Sequence, residues 1–279
     1  MTDHLKQYFD KQYLRFAELY KECREDYDIE EVHDMRLCMK KIKAFLLFIE
    51  TIEPDSISAK TLLINFKKLY KKAGSIRDIQ MQKVIALQFE KELDSTYPDY
   101  INYLNKKEKK AIKIFENKKG IYDPEQDYTH LREKINKVLD KQGEDAFLKT
   151  GENSFLKKHE ELKKLLKGKL TTKRIHTIRT KLKQFSYMLK LWQSKESDRN
   201  IFPFERSELQ EIESKLGSWH DLVVAQTLLN NFFDTAPNEE AISLHYALLA
   251  LKIRNKRASL LSEIKPSLKQ IFSREIIPI

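Results

Sequence analysis

Between Val32 and Ile49 the apolar residues Val32, Met35, Met39, Ile42, Leu46 and Ile49 recur at steps of three, four, three, four and three. At about 3.6 residues per turn they form one stripe of an α-helix, and the spacing fits no strand. Asp28, Glu30 and Glu31 precede the stripe, where acids favour a helix start, and Pro54 follows it. The same stepping predicts helices at about 4–25, 57–73, 76–95 and 98–118, with Gly74 and Ser75 separating the middle two. Beyond a linker at 120–127 it predicts 128–166, with a break near Gly143 or Gly151. It then predicts 171–194, 205–216, 218–233 and 238–263, punctuated by Pro203, Gly217 and Pro237. No segment sustains period-two alternation. Glycine supplies 6 of 279 residues, about 2 % against an ordinary 7 %, which disfavours sandwiches, barrels and glycine-rich phosphate loops. The hydrophobic fraction of 41% is enough for a core, so the chain as a whole is not disordered. The expected class is all-α, in two helical bundles of similar size, residues 1–125 and 126–279.

An internal repeat supports the division. Val32-His33-Asp34-Met35-Arg36-Leu37-Cys38-Met39-Lys40 and Ile175-His176-Thr177-Ile178-Arg179-Thr180-Lys181-Leu182-Lys183 share the pattern apolar-His-x-apolar-Arg-x-x-apolar-Lys. Gly74-Ser75-Ile76-Arg77-Asp78 and Gly217-Ser218-Trp219-His220-Asp221 lie in the same register, so the interval from His33 to Asp78 equals that from His176 to Asp221. Two separated motifs in one register point to a duplicated module and to pseudo-two-fold symmetry.

The motif helices carry charge in a narrow band. At about 100° per residue, His33, Arg36, Lys40 and Lys43 fall within an arc of roughly 80°. His176, Arg179 and Lys183 repeat it, each band bordering the apolar stripe. Cations so placed repel one another, and two such bands at equivalent positions point to an anion. With 52 Lys plus Arg against 42 Asp plus Glu, the net charge of +10 agrees, though weakly.

These motifs and their duplication resemble the CHAD family, the α-helical domain named for its histidines, over about residues 5 to 265. The resemblance implies two four-helix bundles related by a pseudo-two-fold axis around a central basic groove or pore. It further implies binding of inorganic polyphosphate, association with polyphosphate granules, no cofactor and no catalysis. Members often accompany a triphosphate-tunnel catalytic domain; this chain looks like a stand-alone member. Carried over by position, the anion-binding set is His33, Arg36, Lys40, Lys43, His176, Arg179 and Lys183, with Arg77 from the first junction. Ser186 stands where the first half has Lys43, and His220 where it has Arg77, so the second half is expected to make fewer phosphate contacts.

Each signal has a plainer reading. A histidine beside an apolar stripe is often structural, and a metal site lacks further ligands, since His4, His130, His159, His220 and His245 show no HxxxH spacing. If the histidines contact phosphate, their ordinary pKa of about 6.5 strengthens binding as pH falls. Arg36 and Arg179 fit phosphate bidentately or pair with acids. Asp78 and Asp221 read as helix N-caps or as partners orienting a His or Arg. Lys109, Lys113, Lys252 and Lys256 match in the same register, with Arg254 and Arg257 nearby, and are either further contacts or a solvated face. Lys67, Lys68, Lys71 and Lys72 read as solvated, and Trp192 and Trp219 as core.

Competing functions are a nucleic-acid-binding helical protein and a phosphate-handling enzyme. No nucleic-acid signature stands out, and neither GxxxxGK[ST] nor paired acids provide for phosphoryl transfer. Cys23 and Cys38 make no disulfide framework, no apolar leader opens the chain, and no apolar run approaches the roughly 20 residues of a membrane span. The expected location is cytoplasmic.

Overall fold

The computed structural model describes residues 2–23, 27–141, 144–193, 204–235 and 244–274. Among them are ten helices and no strand: α1 (Thr2–Glu22), α2 (Ile29–Ile52), α3 (Ala59–Leu62), α4 (Ile64–Leu93), α5 (Pro98–Lys119), α6 (Pro124–Leu139), α7 (Glu144–Leu166), α8 (Thr172–Gln193), α9 (Arg206–Phe233) and α10 (Leu244–Ser273). The protein is all-α, as expected. None of these helices is long and apolar enough to cross a membrane.

Local chemistry sets the boundaries. The Asp28 carboxylate accepts the Glu30 backbone N–H at 2.7 Å and starts α2. Asp123 accepts the N–H groups of Glu125 and Gln126 at 2.9 and 3.0 Å, and Pro124 takes the first helical position. Helix α6 therefore begins earlier than the expected residue 128. Helix α6 ends at Leu139 and α7 begins at Glu144, so the chain does break between them; Gly143 lies outside the described residues, and Gly151 lies inside α7. Helix α10 runs on through Pro266 to Ser273. An internal proline costs about 3 kcal/mol, which the burial of Ile264, Leu268, Ile271 and Phe272 beyond α10's expected end outweighs. Pro203 and Pro237 lie outside the described residues, as does the Trp192 side chain.

The largest departure concerns the two glycine junctions. Helix α4 passes through Gly74-Ser75 without a break, and α9 passes through Gly217. A Cβ on Gly74 would lie 2.4 Å from Arg36 Nη1, so this glycine makes room for a side chain. Asp78 and Asp221 are consequently mid-helix and cap nothing, which corrects the N-cap reading.

Helices α1, α2, α4 and α5 pack in succession, as do α8, α9 and α10, with α7 against α8 and α10. Across these groups α2 lies on α8 and α7, and α4 lies on α9. Helix α6 packs on α1: Tyr128 stacks on Phe9 and donates to Asp10, which also pairs with Arg132. One continuous cluster of buried apolar side chains runs from Leu5 to Phe272 and includes Trp219, 2% exposed. That cluster holds α2 and α8 in register.

Candidate anion-binding site

The crossing of α2 on α8 brings the two charged bands together. Burial and the neighbouring Lys183, Arg36 and Arg179 push the Lys40 ammonium down to about 7, against a weaker pull from Asp221. Burial also lowers Lys183, as do Arg179 and Arg36, while Glu213 and Asp221 oppose. Cations from both helices thus share one poorly solvated space.

That space is a cavity of about 360 Å³. Its lining includes Lys40 and Lys43 of α2, Lys60 of α3, Lys67 and Lys71 of α4, and Arg179 and Lys183 of α8. Among the described residues the one carboxylate on its wall is Glu50. Seven cations against one acid concentrate positive potential there; Lys40, Arg179 and Lys183 are half-buried, and Lys43, Lys60, Lys67 and Lys71 are exposed at its rim.

The two repeated arginines are deployed differently. Arg36 donates from Nη1 to the Tyr70 carbonyl at 2.9 Å, and its guanidinium carbon lies 4.4 Å from the Tyr70 ring centroid. It also fills the space beside Gly74. Arg179 lines the cavity, and its buried Nε has no hydrogen-bond partner. The residue at the Tyr70 position of the second half is Glu213, which Ser186 hydrogen-bonds and whose Oε1 is also buried without a partner. An unpaired buried donor costs on the order of 1–3 kcal/mol, so Arg179, near Asp221 and Asp78, is less firmly tied than Arg36.

Acids lie among the cations. Burial raises Asp78, against Arg36, Arg179, Lys40 and Arg77. Asp221 is raised by burial and by Asp78, against Arg179, Lys183 and Arg77. The Gln82 side chain donates to the Asp221 carbonyl at 3.1 Å and ties α4 to α9. Arg77 donates weakly to the Ile29 carbonyl at 3.4 Å. His176 and His220 have ring centroids 5.1 Å apart. Burial, then Arg179, His176 and Lys183, lower His220 to about 3. Burial, Arg77 and Lys40 lower His33. Both shifts favour the neutral imidazole, while the Lys40 ammonium is brought down to about 7. Among the described residues no group of three or more His, Cys, Asp and Glu side chains is gathered as a metal site.

Two in-register basic helices thus meet at one cationic cavity, in an all-α fold. A CHAD domain family model matches residues 7–230. The chain belongs to the CHAD domain family, a family linked to polyphosphate. Its fold is similar to the crystal structure of the CHAD domain from the plant Ricinus communis, with a TM-score of 0.65 and 15% identity, covering 99% of this chain and 92% of that one. It is also similar to PptA from Streptomyces chartreusis, with a TM-score of 0.71 and 13% identity, covering 96% of this chain and 99% of the other. No curated protein matches the sequence.

Within this CHAD domain, not every candidate lies at the centre. Lys252 and Lys256 of α10 face Glu92 of α4, at 2.9 and 3.6 Å, and Lys256 also covers the Phe89 ring. Lys109 and Lys113 are exposed on α5 and outside the cavity's lining. Lys67 and Lys71 line the cavity while staying exposed, in keeping with the solvated reading of that run. Tyr70 and Glu213 also escape the motif reading. Each stands about two helical turns before the junction residue Arg77 or His220, so extending the register that pairs those two would have found them.

Proposed function

We propose that this CHAD domain binds inorganic polyphosphate, without catalysis, in the cavity between α2, α4 and α8. The observation that carries the reading is the convergence of Lys40, Lys43, Lys67 and Lys71 with Arg179 and Lys183 on one cavity whose lining holds a single acid among the described residues. Half-burying Lys40, Arg179 and Lys183 together opposes folding, and a linear polyanion offsets that opposition with a charge on every unit. The reading of a duplicated module is supported by helix starts. Helices α2 and α8 begin at Ile29 and Thr172, in the register that pairs His33 with His176, and α4 and α9 begin at Ile64 and Arg206, a single position out of it. Each of those helices also packs on its counterpart, as a pseudo-two-fold pair of bundles requires. The binding set is lopsided, because Ser186 is engaged with Glu213 and gives no cation. Association with polyphosphate granules in the cytoplasm follows from such binding.

The test is anisotropy of an end-labelled long polyphosphate chain against the Arg179→Ala/Lys183→Ala double variant. A loss of at least about a hundredfold is expected, since each charge-assisted contact is worth about 1.5–3 kcal/mol. Unchanged affinity sinks the assigned site. Displacement by RNA at equal phosphate concentration would favour the nucleic-acid reading, and release of orthophosphate would favour an enzyme.

A further inference from the structure

The cavity is built of carbon as well as charge. Most of its wall surface comes from apolar atoms, with Leu47 from α2, Leu63 and Phe66 around the start of α4, and the rings of Tyr70 and Tyr187. A bare polyphosphate presents charged oxygens on every side. It pairs with the cations and leaves this carbon surface uncovered, forgoing the gain from taking it out of water.

The carbon surface is not imposed by the fold. In the register that pairs His33 with His176, Leu47 corresponds to Lys190 and Tyr70 to Glu213. The second half carries an ionisable side chain at both positions, so the helices do not require carbon there. Tyr70 is also braced: Arg36 covers the ring and bonds the same residue's carbonyl. Tyr187 lines the cavity from the facing helix α8. A volume of about 360 Å³ lies within the range of small-molecule sites.

We infer that the cavity takes a short polyphosphate esterified to a flat ring system, of the kind a nucleoside triphosphate carries. The phosphates lie on Lys40, Arg179 and Lys183, and the ring lies against Leu47, Phe66 and Tyr187. This deepens the polyanion reading and rests on it. Flat bases stack on tyrosine without regard to sequence, and such stacking is worth a measurable factor in affinity.

The experiment compares ATP with inorganic tripolyphosphate by calorimetry, at equal salt and with EDTA to remove divalent cations. The ester has one fewer ionisable oxygen, so charge alone makes it the weaker ligand. The expected result is that ATP binds at least as tightly. Tyr187→Ser is expected to weaken ATP by about tenfold and to leave tripolyphosphate nearly unchanged. Leu47→Lys, which copies Lys190, is expected to act with opposite signs: tighter tripolyphosphate and looser ATP. Weaker binding of ATP by the unmodified protein, or equal effects of each substitution on both ligands, would overturn the inference. The Arg179→Ala/Lys183→Ala variant is titrated with long-chain polyphosphate alongside. Retained affinity there defeats the polyanion reading itself; lost affinity without an ATP preference defeats the ring subsite alone.

Discussion

Lys40 gives the sharpest handle on the site, because its proton is in play near neutrality. Its ammonium is held to about 7 by burial, by Arg36 on its own helix and by Lys183 and Arg179 on α8. Lys67 and Lys71 share the cavity from α4, Asp78 lies within reach from α4, and Asp221 opposes the shift from α9. A bound polyanion reverses the main repulsions and restores the ammonium. Affinity then scales with the fraction of free protein in which Lys40 is protonated, about one half at pH 7 and about one hundredth at pH 9. The loss expected between those values is about fiftyfold, with a flat profile below pH 6. Near pH 8 binding takes up about 0.9 proton per site, which calorimetry in buffers of different ionisation enthalpy measures directly.

Two substitutions isolate the group. Lys40→Arg keeps the charge and does not titrate, so its affinity stays level from pH 7 to 9. Lys40→Met binds more weakly and is also level. The free protein carries the opposite signature. The unfolded chain holds this proton to about 10.5 and the folded one to about 7. The unfolded state therefore binds more protons across that window, and stability rises with pH through it, by at most about 5 kcal/mol. Lys40→Met is accordingly more stable than the unmodified protein at pH 7. A level profile in the unmodified protein, or a slope that survives Lys40→Arg, refutes the assignment.

Further outcomes follow from the same geometry. Gly74→Ala gains about 1 kcal/mol of helix propensity but displaces Arg36 from Tyr70, a charge-assisted bond worth about 1.5–3 kcal/mol. A net loss is expected as a lowered Tm, whereas Gly217→Ala, whose Cβ meets nothing within 4 Å, is expected to raise it. Lys252→Ala/Lys256→Ala removes the partners of Glu92 and is expected to leave polyphosphate affinity nearly unchanged, by anisotropy titration. With about seven cations engaged, log affinity is expected to fall against log salt with a slope near −5, taking the factor of about 0.7 per contact found for single strands; a slope near −1 would mean that most of these lysines stay in water.

The repeat was the legible part of the site. His33, Arg36 and Lys40 recur as His176, Arg179 and Lys183 because both helices keep one face against the core and the adjoining face charged. That fixes which residues share a band, and the packing of α2 on α8 makes the bands meet. Glycine was misleading. Gly74 reads as a breaker by propensity, yet its function in α4 is set by the guanidinium of Arg36, which reaches it from α2. The error carried the caps with it, since Asp78 and Asp221 begin helices only if the helices break there. Lys67 and Lys71 were hidden for another reason: they are exposed, as a solvated face should be, and tertiary packing alone decides that the cavity opens beside them.

The same packing explains why a duplicated motif does not yield two equal sites. Arg36 is committed before any ligand arrives, to a carbonyl, a ring and the space that Gly74 leaves. Arg179 has Glu213 in place of Tyr70 near it, and a carboxylate that burial drives toward its neutral form is a poor competitor for a guanidinium. The first half therefore supplies the frame and most of the lysines, and the second half supplies the less firmly tied arginine. Divergence at two positions, Tyr70 against Glu213 and Lys43 against Ser186, is enough to separate these roles. A linear polyanion loses nothing by this, because its repeating charges do not demand a symmetric host.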